Sequence, residues 1–237
     1  MLVDENSPLR KLPLSLPASQ LSFLDGIRLT GEMYHLAYAR LLGQLETISP
    51  QMEPGSEVKF DAACIFLDAW SMVDSLNRFR ELVAQLPGLK KKQPAVRLFL
   101  EKTAGAETLR NIVQHLRQEI PSMTTAGKPV LGSLHWVYFV KTEPSRIRSC
   151  TVIAGRLQTG SHPILNPLGK PIAAPVDHIT LRCKDSELSL TKCYEDCRRL
   201  LKNIERSIEN SFGISASSGS DLFLAVDFAI PTAKKGS

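Results

Sequence analysis

Apolar residues along the first half of the chain recur with a helical period. After Ser19 they fall at Leu21, Leu24, Ile27, Leu29, Met33, Leu36, Ala37, Leu41 and Leu45, and Ser49-Pro50 breaks the run. This spacing predicts a helix from about residue 19 to 49, weakened but not cancelled by Gly26 and Gly31. After the loop QMEPGSE, a second helix is expected from about 58 to 86. Ala62, Ile65, Phe66, Ala69, Met72, Val73, Leu76, Phe79 and Val83 form its apolar face, and Phe60, Cys64, Leu67 and Trp70 widen it. So wide a face implies a helix covered on more than one side, central in a bundle. Pro87-Gly88 stops it. A third helix is expected from about 94 to 120, with Val96, Phe99, Leu100, Leu109, Val113, Leu116 and Ile120 as its core face; Gly105 is its weak point and Pro121 its end.

From residue 129 the period changes. Leu134–Val140, Cys150–Ala154, Ile179–Cys183 and Glu187–Leu190 are rich in β-branched and aromatic residues or alternate in polarity, and read as short strands. A proline-rich loop separates the second from the third. A fourth helix follows from about 191 to 212, with Tyr194, Cys197, Leu200, Leu201, Ile204, Ile208 and Phe212 facing the core, and residues 222–230 read as a last strand. The expected fold is α+β, mainly α: an antiparallel four-helix bundle with a small antiparallel sheet inserted between the third and fourth helices. Residues 1–17, with prolines at 8, 13 and 17, read as a flexible arm or a strap across the surface. Residues 18–125 and 190–213 make the helical part, 129–189 and 221–231 the sheet subdomain, and 232–237 a tail.

Composition changes this picture little. At 237 residues, 43% hydrophobic and 22% charged, the chain is long enough for a substantial core, and no apolar run is long enough to span a bilayer. The N-terminus makes a poor signal peptide, and an odd number of cysteines (Cys64, Cys150, Cys183, Cys193, Cys197) in apolar contexts suggests free thiols, so a cytoplasmic location is expected. The net charge of +5 comes entirely from the second half: up to residue 125, 14 basic residues balance 14 acidic ones. Such mild basicity is compatible with a polyanionic partner without requiring one.

The candidate chemistry is concentrated in Arg110-Asn111-Ile112-Val113-Gln114-His115. Asn111 and His115 are one helical turn apart and share a face with Thr108 and Gln118. Arg110 lies about 140° round the helix from His115, so one helix does not aim both at one point, whereas the arginine's reach or a second copy across a two-fold axis could. The residue types suit RNA cleavage. A histidine can take the proton of a ribose 2′-hydroxyl, and an arginine can hold the charge that develops on phosphorus. The plain alternative is a solvated helix face.

The stretch RNIVQH, late in a helical bundle, resembles the HEPN superfamily motif of an arginine, a polar residue, three residues and a histidine. The resemblance covers the helical part and leaves the sheet unexplained. It implies a helical bundle, a homodimer that brings two motifs together, and for many members a metal-independent ribonuclease of toxin or phage-defence systems, with Arg110 and His115 as the catalytic pair and Asn111 as the polar residue that orients them. It also implies an RNA or nucleotide ligand, an antitoxin or partner protein in some systems, and no cofactor; other members only bind nucleotides or partners. Without the asparagine the pattern is loose, since Arg28 to His35 and Arg156 to His162 satisfy it too.

Weaker candidates surround this stretch. Cys193 and Cys197, with Cys183 and His178 upstream, lack the layout of a zinc knuckle. His135, in an apolar strand, reads as a packed histidine. The basic side chains Arg198, Arg199, Lys202 and Arg206 alternate with acids and read as a salt-bridged surface. Lys90-Lys91-Lys92 reads as a solvated turn. No phosphate-cradling glycine loop occurs.

Overall fold

The computed structural model describes residues 1–13, 15–53, 55–88, 93–140, 146–153, 155, 164–212, 221 and 224–226. The chain is α+β and mainly helical. Helices α1 (Ala18–Ile48) and α2 (Ala62–Gln85) are followed by three short helices, α3 (Pro94–Lys102), α4 (Gly105–Gln114) and α5 (Leu116–Thr125). Strands β1 (Ser133–Phe139), β2 (Ile147–Ile153), β3 (Val176–Cys183) and β4 (Ser186–Ser189) form one antiparallel sheet in the order β2-β1-β3-β4, and α6 (Leu190–Phe212) leaves β4 directly.

Local chemistry sets these boundaries. The Asp61 side chain accepts from the Cys64 amide at 3.1 Å and caps α2, so that helix starts later than its apolar period alone suggests. Pro94 opens α3, where its missing N–H costs nothing. The helix expected over 94–120 is in fact three. Buried Thr103 closes α3 by donating to the Phe99 carbonyl at 2.7 Å. A Cβ on Gly105 would stand 3.2 Å from the Glu187 carbonyl, so the glycine lets α4 approach β4 closely. His115 divides α4 from α5, and Pro121 lies inside α5 rather than ending it. On α4 the buried residues are Ala106, Leu109 and Ile112. Val113 and Leu116 are only half-buried and Ile120 is exposed, so the core face lies further round than expected.

The four-helix bundle is also corrected. Only α1 and α2 pair along their length; α6 lies chiefly against β3 and α3, and the sheet precedes this last helix. One core joins helices and sheet. Ile27, Tyr34, Leu41 and Leu45 of α1, Met72, Leu76 and Phe79 of α2, Leu134, Trp136 and Leu181 of the sheet, and Leu200 and Leu201 of α6 are all buried in it. Trp136 Nε1 donates to Ser49 Oγ at 2.8 Å, which ties β1 to the end of α1 without leaving a buried polar group unpaired.

The described residues of the N-terminal segment lie as a strap against the core. Leu2, Val3, Leu9, Leu12 and Leu16 are buried, Pro8–Arg10 form a short 3₁₀ turn, and the Ser7 hydroxyl donates to Glu205 of α6. Apolar residues between its prolines give this segment enough buried surface to dock without a regular element. The strand expected over 222–230 falls mostly outside the described residues, and its described part, 224–226, is in no strand. The 232–237 tail and Lys90-Lys91-Lys92 also lie outside them.

Gly132 precedes β1 at φ +82°, and a Cβ there would sit 2.1 Å from the Arg182 carbonyl oxygen. Gly132→Ala should therefore lower unfolding stability by at least ~2 kcal/mol, since both a left-handed backbone and a main-chain clash must be relieved. Urea denaturation followed by circular dichroism measures this; an unchanged midpoint would contradict the close approach.

Candidate active site

Helix α4 buries Leu109 and Ile112 and thereby turns its neighbours Arg110 and Asn111 outward. Arg110 does not extend into solvent. Its guanidinium reaches sideways to α2, where Nε donates to Asp74 Oδ1 at 3.2 Å and Nη1 stands 3.8 Å from Glu81 Oε1. With the Gln114 amide turned to satisfy both groups, its oxygen accepts from Arg110 Nη2 at 3.1 Å. The arginine side chain keeps 29% of its surface exposed, so it is held without being sealed in.

The holding carboxylates are held in turn. Asp74 Oδ2 accepts from Arg78 Nη2 at 2.8 Å, the four-residue pairing that the sequence suggests. Glu81 accepts from the buried Asn77 amide at 2.7 Å. Two turns of α2 thus present a line of alternating charge against α4. Each exposed pair contributes little to stability on its own. Together they fix the direction of one guanidinium.

His115 sits at the junction of two helices. Its N–H donates to the Asn111 carbonyl at 3.0 Å, and its own carbonyl accepts from Gln118 N at 2.8 Å, so it closes α4 and opens α5. Its side chain and that of Asn111 are exposed. Among the described residues no side-chain hydrogen bond or ion pair reaches either, and none joins Arg110 to His115. One chain therefore offers an anchored arginine, an unengaged amide on the next residue and, about one and a half turns on, an unengaged imidazole. It does not bring them together.

The other candidates resolve differently. His135 is fully buried, with Nε2 2.7 Å from Ser133 Oγ and Nδ1 3.0 Å from Thr151 Oγ1, as befits a packed histidine. Cys183, Cys193 and Cys197 are buried in the core, and burial pushes the Cys193 thiol up to about 12 and the Cys183 thiol up to about 11. No group of three His, Cys, Asp or Glu side chains converges as a metal site among the described residues. On α6, Arg199 pairs with Asp196 at 3.3 Å, and Asp196 also meets Lys102. Arg156 and His162 lie outside the described residues.

Sequence reasoning missed one cluster. His35 of α1 has Nδ1 2.7 Å from the Tyr194 hydroxyl, and Tyr38 stacks on the Tyr194 ring with centroids 4.0 Å apart. Residues 35 and 38 are one turn apart on a helix, but nothing local signals a partner more than 150 residues away. No protein-family model matches the chain, and no match is found among curated proteins or solved structures. Among the described residues no helix is long and apolar enough to cross a membrane.

Partial burial, then the Met1 amino group, holds the His35 pKa below its ordinary value of 6.5. The unfolded chain accordingly takes up this proton first. Above that ordinary value His35 leaves stability unchanged, and as pH falls through it the folded state loses ground. His35→Gln should therefore flatten the decline in stability between about pH 7 and pH 5. Thermal melts across that range test this; an identical slope in both proteins would contradict it.

Proposed function

We propose that the chain is a HEPN-like endoribonuclease that needs no metal and acts as a homodimer, in a toxin or phage-defence setting of the cytoplasm, with an antitoxin or other protein as its regulator. The observation that carries the reading is the state of the RNIVQH stretch. Arg110 is directed by Asp74 yet partly open, and His115 and Asn111 are exposed with no partner of their own. A functional motif needs that combination, and a purely structural ion pair has no use for the unengaged imidazole.

In this reading His115 of one chain removes the proton of a ribose 2′-hydroxyl. The 2′-oxygen attacks the adjacent phosphorus, the bond to the 5′-oxygen breaks, and the leaving oxygen takes up a proton. Arg110 of the other chain donates to the non-bridging oxygens as negative charge builds on the phosphorane. Asn111 orients the phosphate or the imidazole. The product carries a 2′,3′-cyclic phosphate. The composite site is supported by the geometry of one helix, which points Arg110 towards α2 and leaves His115 at the junction with α5.

A second reading is favoured by one observation. Asp74 and Glu81 already balance much of the Arg110 charge. A HEPN-like module that binds a nucleotide or partner without cleaving would tolerate this balance better than an enzyme.

Arg110→Ala and His115→Ala are each expected to lower RNA cleavage at least ~100-fold. Because both positions lie outside the core, each should change unfolding stability by no more than ~1 kcal/mol. Cleavage of a labelled RNA with analysis of the product ends, alongside thermal melts, measures both. A wild-type protein that leaves varied RNAs intact yet gains thermal stability with a nucleotide would support the binding module instead.

A further inference from the structure

The face of α1 turned away from the core carries a pattern that matches itself in reverse. Leu29, Met33 and Leu36 are 48, 45 and 58% exposed, unusual for large apolar side chains in one stripe. At 100° per residue they share a face with Ser22, Asp25, Glu32, Arg40 and Gly43. Asp25 and Arg40 stay more than half exposed although Asp25 pairs with its own Arg28 at 2.9 Å and Arg40 with the buried Asp68 at 3.2 Å, and a Cβ on Gly43 would meet nothing within 4 Å.

We propose that this stripe is the docking surface for a second copy of the chain, α1 packing antiparallel on α1 about a two-fold axis midway between Glu32 and Met33. Two-fold pairing sets each residue against one fixed counterpart. Here Leu29 meets Leu36 of the partner subunit, Asp25 meets Arg40 of the partner subunit, and Ser22 meets Gly43 of the partner subunit, where small residues allow close approach. The same three contacts repeat on the far side of the axis. Glu32 near the axis is already neutralised within its own chain by Arg28 and Arg10. The charges therefore favour the antiparallel arrangement, whereas a parallel one would set Asp25 against Asp25 and Arg40 against Arg40. The seam from Ser22 to Gly43 is about 32 Å long at the rise of an α-helix.

The surface also bears on the proposed site. Helix α1 packs along α2, whose outer side chains include Leu67, Asp74 and Arg78. Docking through α1 sets the partner beside the helix pair whose second member anchors Arg110. The inference thus names the surface for the second chain that the ribonuclease reading requires. It rests on that reading only for its purpose, because the mass of the particle tests it without RNA.

The test is light scattering after gel filtration of the full chain, with circular dichroism as the check on folding. The wild type should run at twice the chain's 26.2 kDa. Leu36→Glu should run as a monomer. Asp25→Arg, which sets like charges together on both sides of the axis, should weaken the dimer roughly tenfold or more, whereas Asp25→Glu should keep it. A monomeric wild type overturns the proposal, as does a dimer indifferent to Leu36→Glu or to Asp25→Arg. RNA cleavage is scored separately, so loss of the ribonuclease reading and loss of this surface are distinguishable.

Discussion

Helix α2 is apolar around more than half of its circumference, and the rest of the structure is arranged to cover it. A helix of this kind is unstable in water until several partners bury it. Helix α1 covers one flank along its whole length, α3 and α4 cover another, and the sheet extends the core from beyond. An outward stripe remains, and Cys64, Leu67, Asp74, Arg78 and Glu81 lie on it. That stripe is where α4 places Arg110. The same packing demand that makes the fold therefore also fixes the orientation of the one arginine that matters most to its proposed chemistry.

Much of this is legible in the residue pattern. The limits of α1, α2 and α6 and the four strands follow from apolar period, proline and glycine to within a few residues, because each element is long or bounded by strong breakers. The narrower apolar face of α2 is buried as its period predicts, whereas Phe60, Cys64 and Leu67, which widen it in the sequence, are exposed. Two features were hidden for physical reasons. The break at Thr103 depends on a side chain returning to the Phe99 carbonyl and on Gly105 touching β4, and neither contact exists until the sheet is in place. The surface on which the N-terminal strap docks depends on apolar residues scattered between prolines, which carry no period and find their place only in the assembled core.

The candidate site shows the same division. Arg110, Asn111 and His115 are readable as a motif, and their exposure or half-exposure follows from the burial of Leu109 before them and Ile112 among them. The role of Asp74 is not readable, since its visible relation is to Arg78 four residues on, and the contact with Arg110 crosses between helices 36 residues apart in sequence. Geometry also sharpens the divergence of the pair. Arg110 is committed to α2 and no contact joins it to His115, so in the proposed reading different chains supply the two groups.

Subunit mixing tests that claim most directly. Purified Arg110→Ala protein and His115→Ala protein, each inactive alone, are combined under conditions where subunits exchange, and RNA cleavage is measured. In a mixed dimer one composite site keeps both its arginine and its histidine, so activity should return to a readily measured fraction of the wild-type rate. A mixture that stays silent while mixed dimers form, beside an active wild type, would contradict a site shared between two chains.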